Sequence, residues 1–196
     1  MINFNSPGIP DGAFARQAGI PMTKQEIRAI ALAKLQLSPG LTVYDIGAGT
    51  GSVAIECQRL VGPGRVYAIE SNPDALELIK LNIRRFNVEL QIIAGTAPAV
   101  LHPLPEADRI FIGGSGGEIE SMVMGCDRKL KPGGILVMNT ITLYTPLLAH
   151  QVLEGLGYDI EAVQVNIAVN VKTGNSRIWQ ARNPVTIISA KKGARP

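Results

Sequence analysis

The chain has 196 residues, of which 46% are hydrophobic and 18% charged, and its formal net charge is +3. That length admits one well-buried α/β domain and excludes two full-sized ones, while the apolar content excludes disorder. The mild basicity comes without dense Lys/Arg runs, which argues against a strong nucleic-acid binder and fits an anionic small-molecule ligand. Cys57 and Cys126 lie in apolar helical patterns with no metal or redox spacing, so both are expected in the core of a reduced, cytoplasmic protein. No apolar run reaches a membrane span, and Met1-Ile2-Asn3-Phe4-Asn5 has no charged leader region, so neither membrane insertion nor export is expected.

Residues 1–22 carry Pro7-Gly8-Ile9-Pro10-Asp11-Gly12 and Ile20-Pro21, which forbid a long helix and predict an arm or lid. Thr23-Lys24-Gln25-Glu26 fits a capping box with Thr23 as the cap, opening a helix to about Leu37. Ile27, Ile30, Ala31, Lys34 and Leu35 repeat at helical spacing, and Ser38-Pro39-Gly40 breaks the chain. Val43-Tyr44-Asp45-Ile46 reads as the first strand, Gly47-Ala48-Gly49-Thr50-Gly51 as a tight turn, and the stretch from Ser52 as a helix. After Gly62-Pro63-Gly64, Arg65–Glu70 is a second strand. Ser71-Asn72-Pro73-Asp74 starts a helix whose apolar positions include Leu76, Ile79, Leu81 and Ile83.

Leu90–Ala94 predicts a third strand, ending in Gly95-Thr96-Ala97-Pro98. Arg109–Ile112 predicts a fourth, ending in Gly113-Gly114-Ser115-Gly116-Gly117. A helix over Glu118–Leu130, a turn at Lys131-Pro132-Gly133-Gly134 and a fifth strand over Ile135–Thr140 follow. Thr145–Leu156 should be helical, Asp159–Ala168 a long strand, and Pro184–Ala190 the last strand. Between those two strands, residues 169–183 hold Lys172, Arg177, Trp179 and Arg182 without a clear period and should overhang a site. The alternation predicts a single domain over 1–196 with a doubly wound sheet and right-handed crossovers.

In such folds ligands sit beyond the carboxyl ends of the strands. Glycines there permit positive φ and close approach of a ligand, and the free N–H groups of a helix start attract electron-rich groups. The dinucleotide fingerprint is G-x-G-x-x-G, whereas Gly47, Gly49 and Gly51 are spaced G-x-G-x-G. That spacing resembles motif I of S-adenosylmethionine-dependent methyltransferases of the Rossmann-like class I fold. Glu70, at the end of strand two, is placed to accept hydrogen bonds from both hydroxyls of a cofactor ribose. Asp45 either orients the cofactor ammonium through water or pins the loop.

Thr96 stands where many of these enzymes carry an acidic residue toward adenine, so either the backbone at Thr96 and Ala97 contacts adenine or the stretch is an ordinary loop. Gly113 to Gly117 give a bare backbone surface facing cofactor and substrate. The Asn/Asp-Pro-Pro-aromatic pattern of base-amino methyltransferases is absent at this place. His102 and His150 have no metal-ligand spacing. Arg16, Lys24, Arg28, Lys172, Arg177 and Arg182, taken as a set flanking one mouth, suit a multiply carboxylated ligand.

Larger pieces carry a more specific resemblance: Gly8-Ile9-Pro10-Asp11, Pro21-Met22-Thr23-Lys24-Gln25-Glu26-Ile27-Arg28, Asp45 to Gly51, Ile112 to Gly117 and Arg182-Asn183-Pro184-Val185. Together they are similar to the decarboxylating C15-methyltransferases of cobalamin biosynthesis, the CbiT type acting on precorrin-6B or cobalt-precorrin-6B. In some members this domain is fused to a C5-methyltransferase, and 196 residues match the C15 half alone.

The resemblance implies a seven-stranded, mostly parallel sheet with an antiparallel last strand, and a homotetramer. It implies S-adenosylmethionine as methyl donor with S-adenosylhomocysteine as product, an anionic tetrapyrrole as substrate, methylation at C15 and loss of the C12 acetate carboxyl, with no catalytic metal. The cofactor candidates are Thr23, Asp45, Gly47, Ala48, Gly49, Thr50, Gly51, Glu70, Thr96, Ala97, Gly113 and Gly114. Ser115 and Asn139 are catalytic candidates without an assigned role, and Arg16, Lys24, Gly116, Gly117, Arg177 and Arg182 are substrate candidates. The superfamily motif alone leaves two other readings open: a methyltransferase acting on RNA or protein, and a nucleotide-binding module without catalysis.

Overall fold

A computed structural model of the chain describes residues 7–114 and 117–193. Seven strands form the central sheet: β1 (Thr42–Ile46), β2 (Arg65–Glu70), β3 (Gln91–Ala94), β4 (Ala107–Ile112), β5 (Leu130–Thr140), β6 (Asp159–Val165) and β9 (Val185–Lys191). Their order is β3-β2-β1-β4-β5-β9-β6. The pairs from β3 through β5 are parallel, and β9 runs antiparallel between β5 and β6. The expected mostly parallel seven-stranded sheet with an antiparallel last strand is therefore present. Beyond β3 the chain returns to lay β4 beside β1, and this reversal opens the crevice in which doubly wound folds bind ligands.

Five helices cover the two faces: α1 (Gln25–Leu35), α2 (Ser52–Val61), α3 (Pro73–Phe86), α4 (Ile119–Lys129) and α5 (Thr145–Gly155). One face packs Ile27, Leu32 and Leu35 of α1 and Val53 and Cys57 of α2 against Val43, Val66 and Val137. The other packs Met122 and Cys126 of α4 and Leu153 of α5 against Tyr44, Ile110 and Leu136. Alternate residues of each strand thus feed opposite layers, as the pleat requires. Both cysteines are buried and free.

Local chemistry explains the helix ends unevenly. Asn72 caps α3, its Oδ1 accepting from the N–H groups of Asp74 (2.9 Å) and Ala75 (3.2 Å). Thr23 does not cap α1; the cap position is Lys24, without a side-chain bond. Asp11 of the arm supplies the acceptor instead, its Oδ1 taking the Gln25 N–H at 2.9 Å. An acceptor two residues away lost to a carboxylate fourteen residues away because the arm folds back over the helix start. In α3, Leu81 is exposed; Ala75, Leu78, Ile79, Asn82 and Phe86 make the inward stripe.

Three strand readings change. The Lys131–Gly134 turn is an irregularity inside β5, where the pairing with β4 steps from Ala107–Leu130 to Arg109–Ile135. The strand after Asp159 ends at Val165 rather than Ala168. Residues 169–183 lack a clear period yet are not irregular: β7 (Ala168–Thr173) and β8 (Ser176–Ala181) pair as a separate antiparallel hairpin. Arg182 N–H donates to Ile167 O at 2.9 Å and closes its base.

Candidate active site

The site begins at the end of β1. Gly47, Gly49 and Gly51 take φ of 72°, 54° and 76°, the left-handed region that glycine enters without penalty. Space demands glycine as well: a Cβ on Gly47 would come within 3.0 Å of the Gly114 nitrogen, and one on Gly49 would collide with the Pro21 carbonyl oxygen. The turn is thus clasped between the β4 exit loop and the arm. Its backbone is anchored by Gly47 and Ala48 N–H donating to Ile69 O at 3.0 and 3.1 Å.

Glu70 holds the same turn. Its Oε2 accepts from Gly49 N–H at 2.8 Å, and its Oε1 accepts from the N–H groups of Ser71 (2.8 Å) and Asn72 (2.9 Å). Its carboxylate therefore fixes the turn and the start of α3, with lone pairs left for a ligand hydroxyl. Thr96 follows β3 beside Glu70, where Gly95 N–H donates to Glu70 O at 2.9 Å, and Ala97 is buried.

Asp45 lies under the turn and is 1% exposed. Its Oδ2 accepts from Ala54 N–H at 2.8 Å, while its Oδ1 has no partner among the described residues, nor does the buried Thr50 hydroxyl. Burial, with the nearby Glu70 charge adding to it, pushes the Asp45 carboxyl up to about 7 against the opposing Ala54 hydrogen bond. Orphaned buried acceptors beside a glycine cradle, with a ribose-competent carboxylate at the next strand end, fit a cationic nucleoside.

A cavity of about 710 Å³ opens next to this turn, at the carboxyl ends of β4 and β5. That volume is in the range of small-molecule sites. Gly113 and Gly114 form the wall shared with the turn, Thr23 and Lys24 the arm side, and Asn139 and Arg182 the β5 and hairpin sides. Met22, Ile27, Thr140, Thr142 and Asn183 also line it. Sequence reasoning gave none of these five a site role, although Met22, Ile27 and Asn183 lie in stretches that carry the family resemblance and Thr140 lies at the end of a parallel strand.

The basic residues do not converge as a set. Lys24 and Arg182 reach the cavity, and Arg182 is paired with Glu26 at 2.7 Å. Arg177 is on the hairpin stem, its Nε donating to Asn170 Oδ1, and Arg16 is exposed on the arm. Arg28 belongs to the interior: it is fully buried, with Nε 2.5 Å from Glu56 Oε1, and its guanidinium also bonds the Thr23 and Ile9 carbonyls. Gly117 is exposed with φ of 94°. Ser115 and Gly116 lie outside the described residues. Among the described residues no group of three or more His, Cys, Asp or Glu is gathered as a metal site, and no helix is long and apolar enough to cross a membrane.

Comparison with known proteins joins this geometry to a family. The model of the precorrin methyltransferase domain matches residues 13–192. A protein of Sulfurisphaera tokodaii named Probable cobalt-precorrin-6B C(15)-methyltransferase (decarboxylating) is 43% identical over 189 residues, covering 95% of this chain and 98% of its own. Among solved structures, precorrin-6y C5,15-methyltransferase from Geobacter metallireducens GS-15 superposes with a TM-score of 0.88 at 42% identity, over 95% of this chain and 96% of that one. Precorrin 8W decarboxylase from Methanobacterium thermoautotrophicum gives 0.87 at 32%, over 93% and 98%. A match running from the arm through β9, at these identities, carries the conclusion that the chain belongs to the precorrin methyltransferase family.

Proposed function

We propose that the chain methylates C15 of a precorrin-6B-type tetrapyrrole, with or without cobalt, and removes the carboxyl of its C12 acetate. The observation that carries this reading is the sharing of one wall, Gly113–Gly114, by the glycine turn and the cavity. A donor on the turn and an acceptor in the cavity then meet across bare backbone. Bound S-adenosylmethionine supplies an electrophilic methyl group. Glu70 and the Thr96–Ala97 backbone hold its nucleoside, Asp45 and the Gly47–Gly51 turn its amino-acid end, and Thr23 closes the arm side.

The chain's own contribution to methyl transfer is positioning, worth up to about 7–11 kcal/mol in favourable cases. Gly113 and Gly114 let the reacting atoms approach, the arm and the hairpin base exclude water, and Lys24 and Arg182 meet ring carboxylates at the mouth. Methylation of RNA finds no support in the mixed charge of this mouth, where Glu26 offsets Arg182. The same reading includes assembly as a homotetramer, supported by exposed Trp179 and Ile178 on β8 and by Leu143 and Tyr144 before α5.

Incubation with S-adenosylmethionine and precorrin-6B, read by mass spectrometry, tests the function. The expected product gains one methyl and loses carbon dioxide. Cofactor binding without any product would leave the nucleotide-binding module as the better reading, and methylation with the carboxyl retained would assign decarboxylation elsewhere.

A further inference from the structure

The cavity grades from charge to neutrality. Lys24 and Arg182 stand at its mouth, while its floor at the end of β5 is built from Met138 and Asn139 with apolar Ile27 and Val185 nearby. Polar neighbours on that floor have local partners: Thr140 Oγ1 lies 3.1 Å from Thr142 Oγ1 and accepts from Thr142 N–H at 3.3 Å. Asn139 has none among the described residues, although both its Oδ1 and its Nδ2 are buried. Native interiors rarely keep such a carboxamide, because a buried donor or acceptor left unmade forfeits its hydration with nothing in return. Beside a cavity, it is a group that completes its bonding on a ligand.

Its address separates it from the methyl donor. Ile112 pairs with Met138, and Asn139 pairs with Ile187 on β9, so Asn139 lies one residue beyond the last β4 partner, next to Gly113. The glycine turn leaves β1 on the far side of β4. From the turn to Asn139 is two strand spacings, roughly 10 Å. Methyl acceptor and departing carboxyl are likewise different atoms of one ligand, several bonds apart, and they need separate holding points.

We propose that Asn139 holds the acetate carboxyl that is lost, Nδ2 donating to one carboxylate oxygen, and thereby governs decarboxylation apart from methyl transfer; this rests on the function proposed above. A neutral donor suits this task better than a cation. In the step, the bond from the acetate methylene to the carboxyl carbon breaks and its electron pair stays on the methylene carbon, delocalised into the conjugated ring. Carbon dioxide leaves, and a proton from a water molecule that enters the space it vacates converts that carbon to a methyl group. Charge flows out of the carboxylate as the bond breaks, so a full cation beside it would stabilise the ground state more than the transition state, whereas a carboxamide orients it at small ground-state cost. The cations at the rim are left for the carboxylates that stay.

The near-isosteric Asn139→Asp removes the donor and sets a carboxylate against the substrate's carboxyl. Expected are an unchanged melting temperature within a few degrees, unchanged cofactor affinity by calorimetry, and a ratio of carboxyl-retaining to decarboxylated methyl product at least tenfold above wild type. Asn139→Ser, which keeps a hydroxyl donor, should restore part of the ratio, and it replaces the Asp variant as the test should that protein not fold. A ratio equal to wild type, or carboxyl loss and methyl gain falling in step, overturns the role of Asn139 while leaving the function standing. A wild-type protein that yields no methylated product overturns the function itself, and this inference with it.

Discussion

Asp45 occupies a position where a carboxylate is hard to keep charged. It is 1% exposed, one oxygen has a single backbone donor and the other none among the described residues, and its carboxyl is raised from 3.8 to about 7. A folded chain that still holds this proton when the unfolded chain has released it becomes less stable as pH rises between those values. The penalty is absent below about pH 4 and complete above about pH 7. In the variant Asp45→Asn, the carboxamide oxygen would accept the Ala54 N–H without carrying charge. Denaturant unfolding of the ligand-free protein should therefore show the variant gaining at least about 1 kcal/mol on wild type between about pH 5 and about pH 8. A difference that does not move with pH would show that Asp45 ionises freely in the fold. Asp45, Glu70 and the three glycines were legible because residue type and short spacing along one strand–turn–helix unit define them. Asn139 was legible only as a strand-end candidate, since its lack of partners among the described residues depends on segments far from it in sequence.

At the scale of elements, the hairpin shows where periodicity fails as a guide. Val169 and Val171 are half-buried while Ala168, Asn170 and Lys172 face solvent, but every residue of β8 is exposed, including Trp179 and Ile178. A strand with no buried face carries no hydrophobic alternation, so the pairing could not be read from it. The hairpin also separates two arginines that sequence placed together. Arg182, at its base, lines the cavity against Glu26; Arg177, on its stem, is held by Asn170. In absorbance titrations with precorrin-6B, Arg182→Gln should weaken binding roughly tenfold and flatten its salt dependence, whereas Arg177→Gln should leave both unchanged. Equal losses in the two variants would mean that the stem also faces the substrate.

For the molecule as a whole, the arm is the decisive piece. Sequence allowed an arm or a lid; its described part is bonded to α2 and α3. Glu56 of α2 accepts from the N–H groups of Gly8 (2.6 Å) and Ile9 (3.0 Å), and Asn82 of α3 brackets Ala15, its Oδ1 accepting from Ala15 N–H at 2.7 Å. Arg28 joins Glu56 at 2.5 Å and Asp11 at 3.4 Å beneath Phe14, whose ring centre is 5.0 Å from the guanidinium carbon. Removing one partner of a buried pair costs about 3–5 kcal/mol. Arg28→Ala should lower the unfolding free energy by that amount, in one transition with an unchanged denaturant slope. An early separate transition, seen by proteolysis within the arm, would mark the arm as a lid after all. Its closure over Gly49 is why Pro21 reaches the turn.

The sequence by itself determined the helices and most strands, and the glycine turn with its two carboxylates. Each of these follows from interactions within a few residues of chain, from side-chain period, proline and glycine geometry and strand-end position. Only the tertiary structure decided that Asp11 rather than Thr23 caps α1, that Arg28 is a buried tie, that Arg182 and not Arg177 faces the cavity, and that Asn139 is without a partner among the described residues. Those facts turn on burial and hydrogen bonding between segments far apart in sequence, where the outcome depends on which competing group arrives and not on any one segment's own preference.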